Sequence, residues 1–375
     1  MSRIIATYRI RAPRDLLDGI ARALALEQSV EVAAEVVTDP FVAANIMGRV
    51  ARIDPGEGEI HTVALGLSIA TTGHDVAQTL NMLVGNSSLH AHVELVDVDF
   101  PAEFRTHFPG PKFGIAGIRE RLNAPDRPLT CAALKPQGMP SAALAELCYT
   151  LARSGLDIVK DDHGLADQTY SPFAERVAAC QRAVERARLE TGRPCLYAPS
   201  LVGSPRALAE QARVVRDENV GAVLLAPALV GMPAFAEFAA TECAVPILAH
   251  PAYGGAARVA PPLLLGKLFR WLGADAVIFP NFGGRFAYTR DECAGIAANG
   301  RCEWGAYRRT LPVPAGGLSV ERVDEIVRFY GNDVMLLIGG SLLAAGDGLA
   351  ERARAFVAAA RHATAAAVEP HEEAT

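Results

Sequence analysis

LTCAALKPQGM (129–139) and LDIVKDDHGL (156–165) open a rhythm that runs through the rest of the chain. Each begins as a short, continuous apolar run and closes on a charged residue, a proline or a glycine. Six more runs follow: CLYAPS (195–200), AVLLAP (222–227), VPILAH (245–250), AVIFPN (276–281), TLPVPA (310–315) and VMLLIG (334–339). Between them lie longer stretches such as FAERVAACQRAVERARLE and RALAEQARVVRDEN. Their apolar residues recur every three or four positions, the spacing of an amphipathic helix. Strands that are apolar throughout belong to a parallel sheet covered on both faces. Eight strand–helix units in about 240 residues predict a closed (β/α)8 TIM barrel. The rival is a doubly wound open sheet, but no GxGxxG follows the first run.

The upstream part reads differently. RIIATYRI is a strand, RDLLDGIARALALEQ a helix and EIHTVALGLSIA a second strand, followed by a helix through HDVAQTLNMLVG and a strand AHVELVDVDF. This order predicts a small ferredoxin-like α+β domain on an antiparallel sheet. The fold class is α/β, divided as an N-terminal domain over 1–122, a barrel domain over 123–367 and an acidic tail over 368–375. GPKFGIAGIRERL (110–122) links the two domains.

The composition of the 375 residues, 50% hydrophobic and 21% charged, excludes disorder, collagen and coiled coil. A net charge of −6 is a poor basis for a nucleic-acid surface. No apolar stretch approaches the roughly 18 residues of a membrane span. Arg3, Arg9 and Arg11 break up the N-terminal apolar run, unlike a signal peptide. Seven scattered cysteines with no CxxC read as reduced thiols, the usage of a cytoplasmic protein.

Barrel enzymes work at the C-terminal ends of their strands. Those ends carry Lys135, then Lys160-Asp161-Asp162-His163, then Ser200, Pro227, His250, Asn281, Gly316-Gly317 and Gly339-Gly340-Ser341. Adjacent strand ends bring Lys135 and Lys160 into one cavity with two carboxylates and an imidazole. Such crowding perturbs pKa values as acid–base chemistry requires, although a solvated loop with internal ion pairs would use the same residues. The glycine pairs let backbone N–H groups approach a phosphate, with Ser319 and Ser341 as extra donors; glycine also serves plain turns.

RPLTCAALKPQGM together with SGLDIVKDDHGLADQTYSPFAERVAAC resembles the catalytic segment of the ribulose-bisphosphate carboxylase (RuBisCO) large chain. LPVPAGGL and LLIGGS resemble its phosphate loops, and LVGNSSLHAHVELVDVDFP (83–101) resembles the end of its N-terminal domain. The likeness covers nearly the whole chain and points to the form IV, RuBisCO-like group. It implies that Lys160 is the lysine that CO2 carbamylates, Asp162 a Mg2+ ligand and Lys135 the proton-transferring lysine. It also implies that Asn86 and Glu27 enter the partner subunit's active site, hence a homodimer with shared sites. Gly316, Gly317, Gly339 and Gly340 fall on one phosphate site, with Ser341 beside them.

The departures matter as much. His163 stands where the family has a second carboxylate ligand, and Gln137 where it has a second lysine. His250 is what remains of a strand-five motif, Ile278 replaces a strand-six histidine, and Arg285 replaces the flexible-loop lysine that positions CO2. Carbon fixation is therefore not expected. Lys160, Asp162 and His163 would surround the metal, yet magnesium prefers oxygen. His163 thus ligates a softer metal, holds a metal-bound water, or acts as acid–base beside Lys160.

A metal, a mobile proton and one phosphate anchor suffice to stabilise an enolate of a phosphorylated sugar. A guanidinium at Arg285 would grip a carboxylate bidentately. That points to a carboxy-lyase decarboxylating a β-keto sugar acid monophosphate of the 3-oxo-isoapionate 4-phosphate type. The alternatives are an isomerase or enolase of a methylthio-ribulose phosphate, which needs no clamp, and a catalytically dead phosphometabolite-binding protein. His250 is either a functional strand-end imidazole or a satisfied structural one. Glu27 is either a site residue or a helix-end charge, and His61, His74, His90 and His92 read as surface or edge residues.

Overall fold

Every one of the eight apolar runs contains a strand. The computed structural model describes residues 2–363, so the acidic tail and the last residues assigned to the barrel domain lie outside it. The barrel strands are β5 (Leu129–Leu134), β6 (Ile158–Asp161), β7 (Leu196–Ala198), β8 (Val223–Leu225), β9 (Ile247–Ala249), β10 (Ala276–Pro280), β11 (Leu311–Ala315) and β12 (Met335–Ile338). They form one eight-stranded sheet in the order β7-β6-β5-β12-β11-β10-β9-β8, with every pair parallel. A parallel bridge between Ser200 and Leu224 joins the two ends of that order and closes the barrel.

The runs are apolar throughout because each strand is buried on both sides, and successive side chains alternate between them. Leu129, Cys131, Ile158, Ala198, Leu224, Leu248, Ile278, Val313, Met335 and Leu337 fill the interior as one cluster. Their neighbours Ala132, Leu134, Val159, Tyr197, Val223, Ile247, Val277, Leu336 and Ile338 pack outward, under the helices. This parity decides which strand-end residues reach the mouth.

The segment expected to be a link holds a helix, Gly114–Leu122. Its Ile115, Ile118 and Leu122 join the interior cluster. Asp275 anchors its start, with Oδ1 accepting from the amides of Phe113 and Gly114 at 2.7 Å each.

The N-terminal part is a four-stranded antiparallel sheet in the order β2-β3-β1-β4, formed by β1 (Arg3–Arg11), β2 (Arg49–Asp54), β3 (Ile60–Ser68) and β4 (Val93–Asp99). With helices Leu17–Glu27 and Val76–Val84 it has the expected ferredoxin-like order. The strand β2 carried no sequence signal. It is a largely exposed edge in which only Val50 and Ile53 of RVARID are partly buried. His61, expected at the surface or an edge, is buried: Nδ1 accepts from the Gly56 amide at 3.1 Å and Nε2 meets Ala12 O at 3.1 Å. The small sheet is tied to the barrel by Leu95, which donates to Arg258 O at 3.0 Å and accepts from Ala260 N at 2.9 Å. Phe100 adds an aromatic contact with Trp271, ring centroids 5.0 Å apart.

Candidate active site

Inward parity carries past the strand ends. Cys131 and Ala133 lead to Lys135, Ile158 leads to Lys160 and Asp162, and Leu248 leads to His250. Lys160 is flanked in register by Ala133 and Ala198, whose small side chains leave it room. Its amine is buried at 2% exposure and donates to Asp161 O at 2.8 Å. Burial pushes that amine below its usual pKa, against the pull of Asp162 and Asp161.

Lys135 Nζ lies 2.6 Å from Asp162 Oδ1, and its side chain keeps 37% exposure toward the mouth. His163 Nδ1 is 3.6 Å from the same carboxylate oxygen, and Gln137 Nε2 is 3.4 Å from the other. Burial works to raise the Asp162 carboxyl. The groups of His163 and Lys135 and the charge of Lys160 outweigh it and hold Asp162 well below the usual carboxylate range. The ring of His163 stacks on that of His250, centroids 4.1 Å apart and 13° from parallel. His250 Nδ1 accepts from Ala252 N at 3.1 Å, which leaves the neutral ring's proton on Nε2. Burial, then the charges of Lys160 and His163, pushes His250 down to about 2.

The expectation of two carboxylates in one cavity is corrected by the same parity. Asp161 points outward into the layer between sheet and helices. There it meets Arg176 Nε at 3.0 Å, the Tyr197 hydroxyl at 2.7 Å and the Ser200 amide at 3.1 Å. It is a fully buried structural ion pair. Gln137 had been noted only as a departure from the family. β5 ends at Leu134, so strand alternation gave no signal for its place beside Asp162. Gly164 is packed against it: a Cβ there would lie 1.7 Å from Gln137 Nε2.

The glycine pairs sit on the same mouth. Gly316 and Gly317 have φ of +79° and +76°, a region glycine adopts at no steric cost. A Cβ on Gly317 would strike Gly284 Cα at 2.8 Å, whereas one on Gly339 or Gly340 would meet nothing within 4 Å. Ser341 is exposed, and its hydroxyl donates to Leu318 O at 2.5 Å. Arg285 lies over the ring of Phe286 at 4.8 Å, in a loop that packs on Gly316. Glu27 and Asn86 are brought together in the small domain, Asn86 Nδ2 donating to Glu27 Oε1 at 2.7 Å, in a cleft with Ser29, Thr71 and Asn81.

Among the described residues no group of three or more His, Cys, Asp or Glu side chains could hold a metal ion. Asp162 and His163 are two adjacent donors, and the second is an imidazole that magnesium takes reluctantly. The unmodified set of Lys160, Asp162 and His163 therefore falls short of a magnesium site. A carbamate on Lys160 would supply the missing oxygens.

Residues 114–256 match the family model described as the ribulose bisphosphate carboxylase large chain, catalytic domain. The chain is 46% identical over 357 residues to the 5-methylthioribulose-1-phosphate isomerase of Rhodospirillum rubrum, covering 95% of this chain and 96% of that one. The chain belongs to the RuBisCO large-chain family. This family member is also 33% identical to the 2,3-diketo-5-methylthiopentyl-1-phosphate enolase of Geobacillus kaustophilus, covering 96% of this chain and 92% of that one. The solved structure of a Rubisco-like protein from Rhodopseudomonas palustris superposes with a TM-score of 0.90 at 45% identity, covering 96% and 98% of the two chains. The chain is thus an enzyme of the RuBisCO large-chain family. The decarboxylase reading is overturned, because these relatives are named as an isomerase of a methylthioribulose phosphate and an enolase of a diketo-methylthiopentyl phosphate. With it goes the substrate carboxylate that Arg285 was expected to grip; the guanidinium lies over the ring of Phe286 at 4.8 Å. The reading as a dead binding protein goes too. Among the described residues no helix is long and apolar enough to cross a membrane.

Proposed function

We propose that this enzyme isomerises a phosphorylated methylthio-pentulose of the 5-methylthioribulose 1-phosphate type, moving a proton between carbons next to a carbonyl through an enediolate. The observation that carries this reading is the 46% identity to the R. rubrum isomerase over 95% of the chain. The mouth is furnished for such proton traffic. Lys135 is the amine exposed to the cavity, so it takes the proton from the carbon beside the carbonyl and returns it to the neighbouring carbon. Asp162, held ionised, fixes the position of Lys135 between those two acts. Gln137 and the stacked pair of His163 and His250 hold the remaining sides of the carboxylate and ring in place.

The amides of Gly316, Gly317, Gly339 and Gly340 take the phosphate, and Arg285 closes on it from the loop packed against Gly316. A divalent ion enters this reading only with CO2 on Lys160: the carbamate, Asp162 and His163 would hold it, and it would polarise the substrate carbonyl. Glu27 and Asn86, paired on the small domain, complete the site of a second copy in a homodimer. A cytoplasmic setting is supported by the seven free cysteines.

The test supplies 5-methylthioribulose 1-phosphate in D2O, with magnesium and bicarbonate, and follows product and deuterium by 31P and 1H NMR. The expected result is an isomeric phosphate with deuterium at one carbon. Turnover of the diketo phosphate alone would move the assignment to the enolase named for the Geobacillus relative. Turnover of neither would overturn the reading.

A further inference from the structure

We propose that the face of the barrel opposite the catalytic mouth carries a second anion site, built by Arg193 and Arg361, for the phosphate group of a small metabolite. A cleft of about 400 Å³ opens there, lined by Arg127, Asp157, Arg193 and Arg361 among others. Arg127, Asp157 and Arg193 lie within three residues before β5, β6 and β7, so the cleft lies at the strands' N-terminal ends. Its volume is within the range of small-molecule sites.

Among the described residues three guanidinia line this cleft with a single carboxylate, and that carboxylate is already committed. Arg127 forks onto Asp157 with Nη1 at 2.8 Å and Nη2 at 2.6 Å, and the Thr130 amide and hydroxyl donate to Oδ2 at 2.8 and 2.9 Å. Among the described residues neither Arg193 nor Arg361 has a carboxylate within salt-bridge distance. The two guanidinia nevertheless converge. A Cβ on Gly155 would lie 3.3 Å from Arg193 Nη1 and 4.0 Å from Arg361 Nη2. Val357 Cγ1 lies 3.6 Å from the same point, so the two guanidinia approach each other at Gly155 (φ +94°) beside an apolar methyl.

Each arginine also stands near a helix C-terminus, Arg361 in the last turn of Leu349–His362 and Arg193 just beyond Phe173–Thr191. A basic residue there complements the helix dipole. That explains each one alone, but not why two from separate elements meet over a glycine. Burial first, and then the charges of Arg127 and Arg193, holds Arg361 below its usual pKa against the pull of Asp157. A phosphate monoester presents three oxygens and accepts parallel bonds from two guanidinium forks.

The experiment titrates the full chain with inorganic pyrophosphate by calorimetry at low ionic strength, where charge pairing is least screened. The expected result is two equivalents per chain, one at the glycine loops and one here. Arg193→Gln/Arg361→Gln should lose the second equivalent, with its affinity falling at least tenfold, while turnover stays within twofold of the parent. If the double variant does not fold, the two single variants are read the same way, with thermal melting as the check. Equal stoichiometry in parent and variants overturns the proposal. A full-length Glu369→Gln/Glu372→Gln/Glu373→Gln variant separates the remaining source of negative charge. An unchanged count supports a small-molecule ligand. A second equivalent that appears only in this variant assigns the cleft to the chain's own acidic tail and overturns the proposal.

Discussion

Asp161 and Asp162 are adjacent in the chain, and the sheet sends them to opposite sides. Asp162 stands in the mouth with Lys135 at 2.6 Å, its carboxyl held low and facing space a substrate can enter. Asp161 is sealed in the layer behind, held by Arg176 and the Tyr197 hydroxyl, and burial pushes its carboxyl upward against their pull. The same side chain serves chemistry on one side of a strand and structure on the other. The difference is set by solvent access and by which partners each neighbouring element supplies.

The sharpest way to break this comparison is to remove one carboxylate at a time. Asp162→Ala should lower kcat/KM by about 10³-fold, because the proton-transferring Lys135 loses the carboxylate that positions it, with the urea midpoint little changed. Arg176→Ala should do the reverse. It strands Asp161 without its cation, and loss of one partner of a buried pair costs about 3–5 kcal/mol, read as the free energy of urea unfolding. Turnover of the fraction that remains folded should stay near the parent. An Arg176→Ala enzyme that is stable but inactive would show that the outer layer is part of the site.

His250 sharpens the comparison through pH. Its folded pKa, pushed down to about 2, lies below the 6.5 of an unperturbed imidazole. Between those values the unfolded chain binds a proton that the folded chain does not, so stability present above pH 6.5 is lost as pH falls. The slope from this group is about 1.4 kcal/mol per pH unit. His250→Asn should flatten the measured stability–pH curve by that amount between about pH 6 and 4.5. The smallest effect is expected at Arg285. Arg285→Ala should raise KM no more than about tenfold with kcat nearly constant, as for loss of one charge-assisted hydrogen bond to a bound phosphate. A collapse in kcat would place the guanidinium at the reacting carbons.

Much of this arrangement was legible in the residues. The eight continuous apolar runs could be read because a strand buried on both faces must be apolar at every position. β2 could not, since an exposed edge imposes no such pattern on RVARID. Lys135, Lys160 and Asp162 were found from strand-end position and from the family's motif. The outward turn of Asp161 also followed from period-two alternation, yet KDDH reads as a single cluster until the strand's phase is known. The stack of His163 on His250 was out of reach, because it joins residues 87 positions apart in the chain through the curvature of the closed sheet. The reaction was misjudged from one side chain: an arginine where the family has lysine allows a carboxylate clamp, but allows a phosphate contact equally well.

The sequence by itself determined the class of fold, the two-part order of the chain and the chemical types at the strand ends, because periodicity and hydrophobic burial act locally along the chain. Only the tertiary structure decided which of two adjacent aspartates faces the substrate, that two histidines share a stack, and that Arg193 and Arg361 meet over Gly155 at the far end of the barrel. Each of those depends on closure of the sheet, which converts strand phase and helix ends into distances between residues the chain keeps far apart.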